Sequence, residues 1–391
     1  MSTIRGAPSE ETALPASEAS APGGALPINP RQRQLLGTIW RSGPLSRVEL
    51  HRRTGIRPNT VCDDASALIA AGLLREAPVQ SRGQGRPRQP LDIDPDRRRV
   101  LGLAIRDDAI ELGSLRLTGQ PAAPLQRQPV DDPAHLVSTA CRLLRAHAGD
   151  DALAIGVSAP GFIDAQQGRV LTSVAWPNHK PVSLARLVNA ASAWPVVMEN
   201  DMHALAVRWL LEGRADTHED VLLVYLDDGQ LGAALLVNGR PNRGCVTAAN
   251  ELGHTRLLVQ TPLCYCGQRG CIERIVSTPF LGTRTPGAPQ DLLARATAMD
   301  GDDAAVLAVA EYLALTLANA VTFTRVNRLV LAGPLVHATR FLETVQQAIE
   351  AQLMPELRSR VSIERWVMQA QEHGHNAAWL AMASLYCEGW L

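Results

Sequence analysis

The stretch Glu251–Glu273, ELGHTRLLVQTPLCYCGQRGCIE, constrains this chain more tightly than any other. It sets His254, Cys264, Cys266 and Cys271 between two carboxylates, Glu251 and Glu273. Zinc takes thiolate and imidazole readily and completes a tetrahedron with four donors, so four such side chains on one short segment fit a closed, structural Zn2+ site. The turn Cys264-Tyr265-Cys266-Gly267 can aim two thiolates at one ion, and Gly267 admits the backbone conformation of a tight turn. The alternative is a histidine and three cysteines close in sequence that share no metal. In an intracellular chain such clusters bind metal more often than they form disulfides. The other four cysteines, Cys62, Cys141, Cys245 and Cys387, are scattered and read as small apolar residues of a reducing compartment.

With 391 residues the chain can build two or three domains, each with its own core. No apolar run reaches the length of a membrane span, about 18 residues, and no basic-then-apolar leader opens the sequence. A cytoplasmic protein without membrane insertion is the expectation. The formal net charge of −1 conceals an asymmetry. Fourteen arginines face seven acids between Arg31 and Arg99, so the remainder is acidic. A DNA-binding head on a body that does not bind DNA has this distribution.

Residues 1–28 are rich in Ser, Ala, Pro, Gly and Glu without apolar periodicity and read as a disordered tail. A head is expected over residues 29–92. Leu35, Leu36, Ile39 and Trp40 recur at helical spacing; Ser46 caps a second helix with Glu49 as its capping-box partner; Gly55 suits the turn that follows. Pro58 opens a third helix with Val61, Ala65, Leu68 and Ile69 on its apolar face. Helix, short turn, helix is the DNA-binding helix-turn-helix pattern, with the third helix in the major groove. Leu73–Glu76 and Pro90–Ile93 bracket a Gly- and Arg-rich loop as two strands bracket a wing. Arg82, Arg86 and Arg88 in that loop form a narrow cationic strip that fits an A/T-rich minor groove, although a plain linker has the same composition. The candidate DNA contacts are Arg47, Arg57, Asn59, Thr60, Asp63, Arg82, Arg86 and Arg88. Asp63 and Asp64 sit awkwardly near phosphates: one accepts from a cytosine amino group, or both face away.

From residue 93 to 391 strands and helices alternate in a mixed α/β body. Arg99–Ile105 and Ala109–Leu115 read as one hairpin, Val221–Leu226 and Gly232–Val237 as a second, and a β-rich unit is expected to occur twice. Glu199-Asn200-Asp201, Glu251-Leu-Gly-His254 and Cys264-x-Cys266-Gly-x3-Cys271-Ile-Glu273 together resemble the ROK family of repressors, open reading frames and kinases. Gly43–Leu50 and Gly85-Arg86-Pro87 resemble the winged-helix head of its xylose- and N-acetylglucosamine-type repressors. The resemblance implies an α/β fold with an N-terminal winged helix-turn-helix domain and a two-lobed, actin-like body of sugar-kinase type. It also implies sugar contacts by Asn200, Asp201, Glu251, His254 and Glu273, with His254 a zinc ligand as well. Gly156 and Pro160-Gly161 match the family's sugar-side loop, and Trp176 is a residue that could stack on a sugar. Thr247 and Asn250 depart from glycines common in the family.

A sugar kinase cradles ATP phosphates in two glycine-rich loops. The family's Asp-x-Gly-Gly-Thr is Ala104-Ile-Arg-Asp-Asp108 here, and its Gly-Thr-Gly-x-Gly is Asp228-Gly-Gln-Leu-Gly232. The added carboxylates repel a triphosphate. The expectation is a non-enzymatic regulator, a repressor of sugar metabolism or transport genes. It would answer to a sugar or sugar phosphate, bind operator DNA as a homodimer or homotetramer, and have room for a transport protein as partner. The alternative is a sugar kinase with an appended head.

Overall fold

The computed structural model of the chain describes residues 28–78, 89–106, 108–164, 169–172, 182–184, 194–214, 219–243, 250–285, 291–299, 303–368 and 372–387. The head opens with α1, Pro30–Ser42. Asn29 and Gln32 cap it reciprocally, at 2.9 and 3.1 Å, and Pro30 supplies a first residue that needs no amide partner. The strand β1, Leu45–Ser46, leads into α2, Arg47–Thr54, where Ser46 and Glu49 form the expected capping box. Gly55 ends α2 in the left-handed region, at φ 71°, and α3 runs Pro58–Ala70. β2, Leu74–Glu76, and β3, Pro90–Ile93, are antiparallel, and β1 adds to the other edge of β3. Leu36, Leu50, Val61, Leu68 and Leu91 are fully or almost fully buried among these elements. The result is a winged helix.

Two five-stranded sheets with one topology form the body. The first holds β4, Arg99–Ile105, β5, Ala109–Arg116, and β6, Gln126–Pro129, as an antiparallel meander. After α4, Leu136–His147, the strand β7, Ala152–Ala159, joins the free side of β4 in parallel. A small sheet of β8, Phe162–Asp164, β9, Arg169–Thr172, and β10, Val182–Ser183, intervenes before β11, Val196–Asn200, extends the first sheet in parallel. Helix α5, Asp201–Trp209, crosses to the second lobe. There β12, Val221–Asp227, β13, Gln230–Val237, and β14, Arg240–Pro241, repeat the meander.

Short helices follow: α6, Ile272–Ile275, α7, Thr278–Arg284, and α8, Leu292–Ala298. Then come α9, Ala304–Thr324, and β15, Arg328–Ala332, with α10, Thr339–Gln352, α11, Pro355–Arg358, and β16, Ser362–Arg365. β15 and β16 add to β12 in parallel, as β7 and β11 add to β4. The last helix, α12, His373–Tyr386, returns between the lobes. The unit expected twice is therefore present as two sheets of order β11-β7-β4-β5-β6 and β14-β13-β12-β15-β16.

The apolar faces set the layers. α4 covers the outer face of the first sheet through Leu136, Ala140 and Leu144 on Leu101, Leu103 and Val157. α9 and α10 cover the outer face of the second through Val309, Leu313 and Phe341 on Leu222, Val224 and Leu331. α5 and α12 fill the space between the sheets. α9 corrects one sequence expectation: its 21 residues are long and apolar enough, by length and composition, to cross a membrane, and 56% of the apolar window is buried in this core.

Gly102 pairs in register with Gly113 on one side and Gly156 on the other, which makes a furrow across β5, β4 and β7. The backbone of α12 lies in it. A Cβ on Gly102 would stand 2.1 Å from Ala378 N, and one on Gly156 1.9 Å from Ala377 O. Gly156 therefore belongs to helix packing and not to a sugar-side loop.

The head sits on the end of α12. Trp40 stacks on Tyr386, with centroids 4.8 Å apart, and Arg33 Nε donates to Ser384 O at 2.8 Å. Trp40 Nε1 donates to Leu211 O beyond α5, at 3.1 Å. Arg98 bridges Ala71 O, at the end of α3, and Asp150 O of the body, at 3.0 and 2.7 Å.

Candidate metal centre and ligand site

His254 ends a short 3-10 turn, Leu252–His254, and the chain then doubles back on itself. Leu257 N donates to Gly270 O at 2.8 Å, and Arg256 bridges to Cys271. Gly270 has φ 90° with Leu257 O where a Cβ would stand, so only glycine closes this turn. The closure gathers His254, Cys264, Cys266 and Cys271, whose ligand atoms all lie within 4.8 Å of one another. Cys266 Sγ is 3.6 Å from Cys271 Sγ, and Cys264 Sγ is 3.7 Å from His254 Nδ1. Zn–S bonds of about 2.3 Å in a tetrahedron separate two sulfurs by about 3.8 Å. The donor set and its spacing thus fit a four-coordinate metal, with Nδ1 as the histidine donor.

The other imidazole nitrogen faces the acidic side. His254 Nε2 is 2.9 Å from the Tyr265 hydroxyl and 3.7 Å from Glu251 Oε2. The Glu251 side chain keeps 38% of its surface in solvent. Its carboxyl is nonetheless pushed up to about 7, by desolvation first and then by the charges of Glu273 and Asp201. Glu273, on α6, is buried; Oε2 accepts from Leu231 N at 3.3 Å, and Oε1 has no partner among the described residues. Asp201 begins α5, and Asn200 caps it by accepting from Met202 N at 2.7 Å. The Asn200 amide donates to Gly161 O at 2.9 Å, which keeps Gly161 beside the site. Of the five sequence-derived ligand residues, His254 and Glu251 stand side by side, and the charges of Glu273 and Asp201 are near enough to act on Glu251. Trp176 and Thr247 lie outside the described residues. Asn250 accepts from Leu235 N at 2.7 Å and so anchors the approach to Glu251.

Sequence reasoning missed several neighbours. Glu199 is buried directly behind Asn200, 3.0 Å from His203 Nδ1, and pairs with Arg243 from the second lobe. Arg243 is remote in sequence and carries no motif, so nothing along the chain marks it. Tyr265 was visible only as the spacer of a Cys-x-Cys turn.

The two turns with added carboxylates are both engaged. Asp108 pairs with Arg127 at 2.6 Å, and that hydrogen bond holds its carboxyl below the usual carboxylate range. Asp228 accepts from Thr278 N at 2.7 Å and from the Thr278 hydroxyl. Arg106 NH1 lies 3.4 Å from His373 Nδ1, and burial with this cation pushes that histidine down to about 3. Asp107 lies outside the described residues.

On the head, Arg57, Asn59 and Asp63 are exposed at the start of α3, and Thr60 is half-buried there. Arg47 reaches Glu76 at 3.5 Å. Asp64 turns inward to Arg31 at 3.2 Å and Asn29 at 3.3 Å, so only Asp63 of the two carboxylates stays on the outer face. Arg82, Arg86 and Arg88 lie outside the described residues.

A winged helix joined to a duplicated, two-lobed α/β body with a Cys3His cluster beside an interlobe acidic site defines a class of protein. The ROK family model matches residues 109–388, and the chain belongs to the ROK family. It is 23% identical to the xylose repressor of Bacillus spizizenii over 92% of this chain and 95% of that protein. It is 31% identical to the glucokinase of Streptomyces coelicolor over 34% of this chain and 41% of that one. Among solved structures, a ROK family transcriptional regulator described as a homologue of the Escherichia coli Mlc protein superposes with a TM-score of 0.75. That likeness spans 91% of this chain and 96% of the other at 21% identity.

Proposed function

We propose that this protein is a cytoplasmic, DNA-binding repressor of sugar metabolism or transport genes, governed by a sugar or sugar phosphate bound beside a structural zinc. One observation carries the reading: the likeness to a xylose repressor runs nearly end to end, head included, whereas glucokinases match between about a third and a half of the chain. In this reading residues 1–28 form a tail, 29–92 the DNA-binding head and 93–391 the sensing and oligomerising body, which assembles as a homodimer or homotetramer. His254 Nδ1, Cys264, Cys266 and Cys271 hold the zinc, and four protein donors leave no position for water, as in structural sites. Asn200, Asp201, Glu251 and Glu273 bind the sugar, with His254 held beside them by the zinc. The unpartnered Glu273 oxygen supports this, because a buried acceptor is costly until a hydroxyl donates to it. Arg57, Asn59, Thr60 and Asp63, with Arg47 and the wing arginines 82, 86 and 88, meet the duplex.

A kinase reading rests on Asp201, which stands where the family places a general base. The engaged carboxylates Asp108 and Asp228 speak against it, since each occupies a turn that must otherwise receive phosphates. A thermal-shift screen of common hexoses, pentoses, amino sugars and their phosphates, with and without prior chelation, tests the proposal. A ligand at a hundred times its Kd adds about 2.7 kcal/mol to stability, and Asp201→Ala and chelation are both expected to abolish that shift. Rapid MgATP-dependent phosphorylation of the same ligand would establish the kinase instead.

A further inference from the structure

Tyr265 lies between two metal-ligating cysteines in sequence, yet its hydroxyl reaches the imidazole nitrogen that does not face the sulfurs. It stands 2.9 Å from His254 Nε2, with the two rings edge to face at 79° and 4.9 Å between centroids. Glu251, the other acceptor near Nε2, stands at 3.7 Å, beyond hydrogen-bonding distance.

A neutral imidazole carries one N–H and one lone pair. The group that takes the N–H decides which nitrogen is left for a metal. A phenol oxygen can accept that N–H. With Nδ1 on the sulfur side, 3.7 Å from Cys264 Sγ, the N–H belongs on Nε2. There it donates to the Tyr265 hydroxyl oxygen, 2.9 Å away.

We propose that Tyr265 is a positioning residue of the metal centre, fixing the His254 tautomer and ring so that Nδ1 meets the metal. This rests on reading the cluster as a metal centre. Partners that orient a ligating histidine typically change metal affinity by about 10- to 100-fold.

The test uses the full chain stripped by a chelator, with Zn2+ alone as the probe in competition with a chromophoric chelator. Tyr265→Phe keeps the ring, and as Tyr265 is 43% exposed, loss of its hydroxyl leaves the core intact. It is expected to weaken Zn2+ binding at least tenfold. Co2+ substitution should still show thiolate charge-transfer bands of unchanged intensity, because the cysteines remain ligands. In a His254→Ala background the same substitution should cost nothing further. A merely structural tyrosine would weaken both backgrounds equally, and that result overturns the proposal, as does a Tyr265→Phe affinity within twofold of the native chain. A native chain that takes up no zinc would overturn the metal reading itself, a different outcome from a zinc-binding chain indifferent to Tyr265.

Discussion

At Gly102, Gly113 and Gly156 the missing side chain is what matters, since α12 can approach the first sheet only where no Cβ intervenes. The nearest atoms that a new Cβ would strike are backbone atoms of α12, which have no rotamer to yield. Gly156→Ala should therefore cost about 3 kcal/mol, the upper part of the usual range for overpacking, measured as a fall in the urea midpoint. Gly282 provides the contrast. It lies exposed in α7 with nothing within 4 Å of its would-be Cβ, so Gly282→Ala should be neutral or stabilise by about 0.5–1 kcal/mol. At this scale the sequence was partly legible. The His/Cys cluster could be named because its chemistry and spacing are local. The furrow could not, because Gly102, Gly113 and Gly156 acquire meaning only when three strands come into register.

Helix starts are the best-specified elements. Asn29, Ser46, Asn200 and Asp303 each accept from first-turn amides, and the helices begin where those side chains stand. Asn200 shows why capping matters for the site, because the same residue caps α5 just before Asp201 and donates to Gly161 O. Asp303 combines a cap on α9 with an ion pair to Arg295 at 2.6 Å. Burial opposes its charge, but Arg295 and the amides of Val306 and Ala305 outweigh that and hold its carboxyl below the usual range. A depressed folded pKa means stability that is present above the unfolded value and is lost as pH falls through the folded one. Native stability should thus decline below about pH 4. Asp303→Ala should cost about 0.5–2 kcal/mol at neutral pH and flatten that decline, followed by denaturant titration across pH.

For the whole molecule, the junction between head and body is the decisive feature. One apolar cluster runs from Leu35, Leu36 and Ile39 of the head through Trp379 and Tyr386 into α5 and the second sheet. Trp40 touches both crossing helices: it stacks on Tyr386 of α12 and donates to Leu211 O beyond α5, the helix whose first residue is Asp201. Trp40 therefore joins the head to α12 and to the segment that follows α5. Trp40→Ala should lower global stability by about 3–5 kcal/mol if head and body unfold as one unit. Hydrogen exchange of the full chain discriminates. Amides of α1 and α3 should open together with the body in the native chain and much faster than the body in the variant. Equal exchange in both would show that the junction carries no coupling.

The sequence by itself determined the helices of the head, the central hairpin of each sheet and the His/Cys cluster with the carboxylates around it. Each of these is written in local periodicity, caps, turns or ligand spacing. Tertiary structure alone decided that Asp64 faces inward, that Gly156 serves helix packing, that Arg243 reaches Glu199 and that Tyr265 holds His254 from its far side. Those facts depend on which distant backbones are brought within a few ångströms, and no pattern along one chain encodes the position of its partner.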